Sequence, residues 1–146
     1  MVGAVLLPCT PVRHDHALEV RAPEERVPEA RAIEAATALK ADVVELHTGS
    51  ACERMQCGDA SGAARELERL RTAAARAGAA GLEVHAGHGL TFASVAAVAR
   101  IPEIVELNIG HFLVGEAIFG GLNSAVRRMR MLMDAARTEF SSRSVA

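Results

Sequence analysis

The sequence predicts an α/β chain with parallel strands, and three observations carry the prediction. Helical and extended patterns alternate from Pro28 onward; each extended stretch has one polar and one apolar face; and two stretches, "VHAGHG" and "ELNIGH", end at a glycine beside a histidine.

The bulk properties fit one globular domain. Of 146 residues, 50% are hydrophobic and 23% charged, with a formal net charge of -2. Only 3% are aromatic and lysines and arginines form no block, which sets nucleic acid aside as a partner. No apolar run approaches the ~20 residues that span a bilayer. The opening "VGAVLLPCT" lacks the basic and long apolar regions of a secretory signal, so no membrane association and a cytoplasmic location are expected. Cys9, Cys52 and Cys57 are an odd, sparse set that does not suit a disulfide framework and agrees with a reducing compartment.

Residues 1–27 are a poorly specified N-terminal segment. Pro8, Pro11, Pro23 and the charged "RAPEER" interrupt it, and only "AVLLP" reads as a possible strand. Residues 28–140 are regular, and 141–146 are expected to be a disordered tail. "PEARAIEAATALK" is a helix with proline in its first turn, followed by the strand "DVVELHTG". "SGAARELERLRTAAARAG" places Ala63, Leu67, Leu70, Ala74 and Ala77 on one helical face, with Gly78 as a stop before the strand "LEVHAG". "TFASVAAVAR" is a short helix ended by Pro102, and "EIVELNIG" a third strand. "AIFGGLNSAVRRMRMLMDAAR" reads as one last helix with Ile118, Leu122, Ala125, Met129, Leu132 and Ala136 on a stripe. This alternation calls for parallel strands joined by right-handed crossovers.

The strand faces narrow the class further. Val44 and Leu46 oppose Glu45 and His47; Leu82, Val84 and Ala86 oppose Glu83 and His85; Val105, Leu107 and Ile109 oppose Glu106 and Asn108. Open doubly wound sheets covered on both faces read as nearly continuous apolar runs, whereas a (β/α) barrel has a polar inner face near its C-terminal rim. Barrel enzymes commonly bind phosphate with the loops after strands 7 and 8, where glycines let backbone N–H groups approach the anion and a helix N-terminus adds partial positive charge. "GHGLT" and "NIGH" are successive strand ends of that kind, although glycines also end strands as bare turn residues.

"ADVVELHTG", "GLEVHAGHGLTFASV" and "IPEIVELNIGHFLVGEAIFGGLNSAVRRM" together resemble the C-terminal portion of the pyridoxine 5'-phosphate synthases, from about Pro28 to about Arg137. The resemblance implies a partial (β/α)8 TIM barrel, about strands 6–8 with their helices. It also implies condensation of 1-deoxy-D-xylulose 5-phosphate with 3-amino-2-oxopropyl phosphate to pyridoxine 5'-phosphate, phosphate and water, with no metal or organic cofactor. By the same resemblance His88 is the catalytic proton donor and Glu45 a transition-state stabiliser, while Gly89, Gly110 and His111 bind the phosphorylated aminoketone. The chemistry suits these residue types: ring closure needs proton transfers near neutral pH, histidine's range, and a carboxylate can stabilise a cationic iminium.

Other conspicuous residues read more plainly. His47 and His85 are wall histidines, His14 and His16 flank Asp15 in a solvated loop, and Cys52 and Cys57 lack the second pair a zinc site needs. Met129, Met131 and Met133 are packing residues with some exposure, and "RRMR" is a solvated helix face.

The chain departs from the resemblance in length, since a whole barrel takes ~250 residues. "EVRAPEERV" stands where another strand is expected, and the other strands have at best the trace "AVLLP". A fragment, a truncated copy or a half barrel that relies on a partner would each look this way; the last exposes an unpaired edge and a mixed surface, which favours a homo-oligomer.

Overall fold

Helix α1 (Pro28–Ala38) leads into strand β1 (Val43–His47), and two helices follow, α2 (Gly49–Gln56) and α3 (Ala60–Ala79), before β2 (Glu83–Gly87). Helix α4 (Val95–Ala99), β3 (Ile104–Asn108), α5 (His111–Gly120) and α6 (Leu122–Arg143) complete the order. The structure is a computed structural model that describes residues 28–143. The possible strand "AVLLP", the segment 1–27 with His14 and His16, and residues 144–146 lie outside the described residues.

The described strands form one parallel sheet in the order β1-β2-β3. Its apolar face carries Leu46, Val84 and Ala86 as expected, buried together with Ile104 and with Leu70, Ala73, Ala74 and Ala77 from α3. Leu90, Val98 and Ile101 extend the same core. Burying a side chain of this size stabilises the fold by about 1.5–3 kcal/mol, so this layer fixes the strand ends in space. Asp59 caps α3: its carboxylate accepts from the Gly62 amide at 2.9 Å.

Five expectations need correction. Val105, assigned to the apolar face, is 65% exposed, and Ile104 is buried instead. The cause is a shift in register: Val84 pairs with Ile104 but His85 pairs with Glu106, so Val105 is an extra residue that turns outward. Second, "GSACERMQ" forms α2, anchored by buried Ala51 and Cys52. Third, the last helix is two helices, because Gly121 adopts φ 79° and turns the chain between α5 and α6. Ala125, Met129 and Ala136 of the expected stripe are buried, whereas Ile118 and Leu122, on either side of that turn, are 78% and 56% exposed. Fourth, α6 runs through Arg143, past the boundary drawn at residue 140, since "TEFSSR" contains no glycine or proline to stop it. Fifth, Cys52 is a free, buried thiol but Cys57 is disulfide-bonded, against the expectation that the cysteines do not suit a disulfide framework.

Arg137 fastens α6 to the sheet by donating to the carbonyls of Pro102, at 3.3 Å, and Ile104. Among the described residues, no helix is long and apolar enough to cross a membrane.

Candidate functional site

At the C-terminal rim of the sheet lies an open hollow of about 490 Å³. Glu45, His88, Gly89, Gly110 and His111 all line it. The topology explains their convergence: β1, β2 and β3 are parallel, so the residues at and just beyond their C-terminal ends emerge side by side.

Glu45 projects from the polar face of β1, and its carboxylate accepts a 2.8 Å hydrogen bond from Asn108 Nδ2 on β3. The bridge passes over β2 at Gly87, which is paired with both His47 and Asn108. A Cβ on Gly87 would lie 2.5 Å from Glu45 Oε1 and 3.0 Å from the Asn108 carbonyl oxygen. Glycine is therefore what lets two outer strands share a hydrogen bond across the middle one.

His88 follows Gly87 with φ 80°, a left-handed conformation that is uncommon for a residue with a Cβ. Such backbone strain costs of order 1–3 kcal/mol and persists only where surrounding contacts over-determine it. Those contacts are present. The buried Thr48 hydroxyl reaches the carbonyl oxygens of Gly87, at 2.7 Å, and His88, and the Thr48 amide donates to Gly87 O at 2.8 Å. The His88 ring stacks on His47 with centroids 4.3 Å apart and planes 27° from parallel.

Gly89 is also left-handed, at φ 74°, and a Cβ there would sit 3.3 Å from Cys52 Cβ and 3.4 Å from Gly49 Cα. The turn thus rests against the start of α2. Ser94 closes it from below: its buried hydroxyl oxygen accepts from the Thr91 amide at 3.0 Å and from the Cys52 thiol at 3.5 Å. On the other side, Gly110 is the N-cap of α5 and His111 its first residue. The first amides of α5 therefore border the hollow with the helix's partial positive charge. Phe112, beside them, meets Phe92 edge-on at 4.8 Å, and the Arg128 guanidinium covers Phe92 at 4.2 Å from its centroid. Arg128 of "RRMR" is thus engaged at the rim rather than only solvated.

Residues below the hollow continue the polar face. His85 Nε2 is 2.8 Å from Glu83 and its Nδ1 3.8 Å from Glu106. Arg69 donates to the His47 carbonyl at 3.4 Å, and partial burial lowers its pKa. Among the described residues, no group of three or more histidine, cysteine or acidic side chains is arranged to hold a metal ion. The sequence reading missed Asn108 as a partner of Glu45 and His47 as a partner of His88. The signal for the first was Gly87 at the strand end, a position where a missing side chain implies that something crosses.

Comparison with known proteins gives the family. The family model described as pyridoxal phosphate biosynthesis protein PdxJ matches residues 26–135. The chain belongs to the PdxJ family. A pyridoxine 5'-phosphate synthase of Caulobacter sp. (strain K31) is 57% identical over 110 residues, covering 75% of this chain and 44% of the relative. The synthase of Rhodospirillum rubrum is 58% identical over 111 residues, covering 75% and 43%. That of Cereibacter sphaeroides (strain ATCC 17029) is 58% identical over 107 residues, covering 73% and 42%. The chain thus spans less than half the length of these PdxJ-family relatives.

Proposed function

We propose that this chain is the aminoketone-phosphate half of a pyridoxine 5'-phosphate synthase, corresponding to about strands 6–8 of a (β/α)8 barrel. The observation that carries the reading is the convergence of Glu45, His88, Gly89, Gly110 and His111 on one hollow. In this reading the amides around Gly89 and at the start of α5 hold the phosphate of 3-amino-2-oxopropyl phosphate, and His111 closes the cradle. His88 donates protons to the oxygens that leave as water during imine formation and ring closure, each transfer contributing ~10²–10⁴-fold. Glu45, held by Asn108, faces the cationic iminium that develops on the aminoketone nitrogen and lowers its energy electrostatically. No metal or organic cofactor is needed for these steps. The strands that would hold 1-deoxy-D-xylulose 5-phosphate belong to the remainder of the barrel, and the working form is an oligomer.

A second reading is a phosphate-binding remnant or assembly module without turnover. It is favoured by the large apolar surface this chain leaves open, with Phe119 92% and Ile118 78% exposed. The deciding measurement is formation of pyridoxine 5'-phosphate from both substrates by the purified chain, alone and mixed with a separately made N-terminal half of a relative. The expected outcome is no turnover alone and turnover in the mixture, because positioning both substrates is worth ~7–11 kcal/mol of barrier. Phosphate binding without turnover in either sample would establish the second reading.

A further inference from the structure

His88 is held by three consecutive residues at the end of β1, and each acts on a different part of it. Thr48 fixes its backbone through the Gly87 and His88 carbonyls. Gly49 supplies clearance: a Cβ there would lie 2.6 Å from His47 Cε1 and 3.0 Å from His88 Cδ2, so any larger residue would drive the two rings apart. His47 supplies the surface against which the His88 ring lies, 4.3 Å away and 27° from parallel.

The orientation of the His47 ring is itself specified. The Gly49 amide donates to His47 Nδ1 at 3.3 Å, so that nitrogen carries a lone pair. The neutral ring then has its proton on Nε2, the tautomer being set by the hydrogen bond at the other nitrogen. The remaining ionisable side chains that border the hollow, Glu45 and His111, make no hydrogen bond or ion pair with His47 among the described residues. Among the described residues, the side chain is thus held by the amide behind it and the His88 ring in front of it.

We infer that His47 is a positioning residue for His88: the "HTG" tripeptide of residues 47–49 is a cradle that sets the ring plane of the proton donor. The inference rests on the proposed role of His88 as that donor, and the pairing itself can be tested separately. A side chain on a left-handed residue at a sheet rim has few neighbours to limit its rotation about χ1. The stack limits it, so the donor atom points into the hollow before substrate arrives, which is the economy of a preorganised site.

The test uses the 146-residue chain, isotopically labelled, and His47→Ala, His47→Phe and His47→Asn variants. In the unaltered chain the His88 ring protons should be displaced upfield by the neighbouring ring, with nuclear Overhauser contacts between the two imidazoles. His47→Ala should remove that displacement and leave His88 rotamer-averaged. His47→Phe should preserve the displacement, while His47→Asn, which keeps an acceptor for the Gly49 amide but no ring, should behave like alanine. In the mixture with the N-terminal half, His47→Ala should lower kcat about tenfold with KM for the aminoketone phosphate little changed, and His47→Phe should restore most of it. Unchanged His88 resonances in His47→Ala and His47→Asn would overturn the pairing. Intact pairing with kcat equal in all variants would show that His47 positions nothing that matters for turnover. Failure of His88→Ala to lower turnover would overturn the donor role while leaving the resonance test standing. Should His47→Ala fail to fold, the phenylalanine and asparagine variants carry the same discrimination.

Discussion

The rim of the sheet and the α5–α6 face are built on one scaffold, yet glycine means opposite things in them. At the rim, a Cβ on Gly49, Gly87 or Gly89 would press within 3.3 Å of an atom from another part of the chain, although Gly110, the N-cap of α5, is open. Along α5 and the turn after it, a Cβ on Gly115, Gly120 or Gly121 would meet no atom within 4 Å beyond its chain neighbours and the adjoining helix backbone. Helix α5 buries no residue, and Val114, Ile118 and Phe119 are 63%, 78% and 92% exposed. The difference separates what this chain completes by itself from what it leaves open. It supplies these strand ends and the helices beneath them, and it presents an exposed apolar flank.

The largest effect expected from breaking the rim is His88→Ala. In the mixture with an N-terminal half, turnover should fall about 10²–10⁴-fold. The Tm of the chain should stay close to its original value, since His88 is exposed and its ring contributes little to the core. Steady-state assays on both preparations check the two statements; turnover near the original would give the donor role to another residue at the rim.

The next effect contrasts the two regions by stability. Leu70, fully buried beneath the sheet, should cost about 2–5 kcal/mol when replaced by alanine, as the lost contacts and the residual cavity add. Phe119→Ser, on the open flank, should change the stability of the isolated chain by about 0.5 kcal/mol or less while reducing its self-association. Urea titration and sedimentation measure both, and a large loss of stability in Phe119→Ser would mean that the flank is part of the chain's own core.

Gly115→Ala sharpens the same contrast. An α-helix interior gains about 0.5–1 kcal/mol when alanine replaces glycine, and open space at Gly115 means no clash opposes the gain. The isolated chain should therefore melt at a higher temperature, whereas Gly87→Ala should melt lower and disturb the Glu45–Asn108 bridge. Equal responses at the two positions would erase the distinction between crowded and open glycine.

Much of this was legible in the letters and some was not, for reasons that differ by residue. The α3 face of Ala63, Leu70, Ala74 and Ala77 is buried as its period requires, because a long amphipathic helix has one way to bury its stripe. Val105 misled, because a single inserted residue reverses the parity of a strand and nothing local in "EIVELN" marks the insertion. The end of α5 was absorbed into α6 and its start was assigned to no element, because "HFLVGEAIFG" is largely apolar and carries no period to delimit it. At the site, the residues themselves stood out as glycine–histidine strand ends. Their partners did not, since Asn108 reaches Glu45 and His47 reaches His88 only through pairing between strands and turns far apart in the chain.

The smallest expected effect concerns the cap that starts α3 beneath the rim. The Asp59 carboxylate is held below the ordinary aspartate range, first by the hydrogen bond from the Gly62 amide, then by the Ser61 hydroxyl and by Arg54, whose Nη1 is 3.1 Å away. Its folded-state pKa is thus depressed relative to the unfolded chain, where aspartate titrates near ~3.9. A depressed carboxylate stabilises the native state above the unfolded value, and that contribution is lost as pH falls through the folded value. The original chain and Asp59→Asn should therefore differ most in Tm near neutral pH, and the gap should close from about pH 4 downward. Asparagine can still accept from the Gly62 amide, so the variant isolates the charge from the cap. Added salt should narrow the neutral-pH gap as well, because the site faces solvent and its Arg54 partner is exposed. A gap that stays constant from pH 7 to pH 3 would show that Asp59 supports α3 through hydrogen bonding alone.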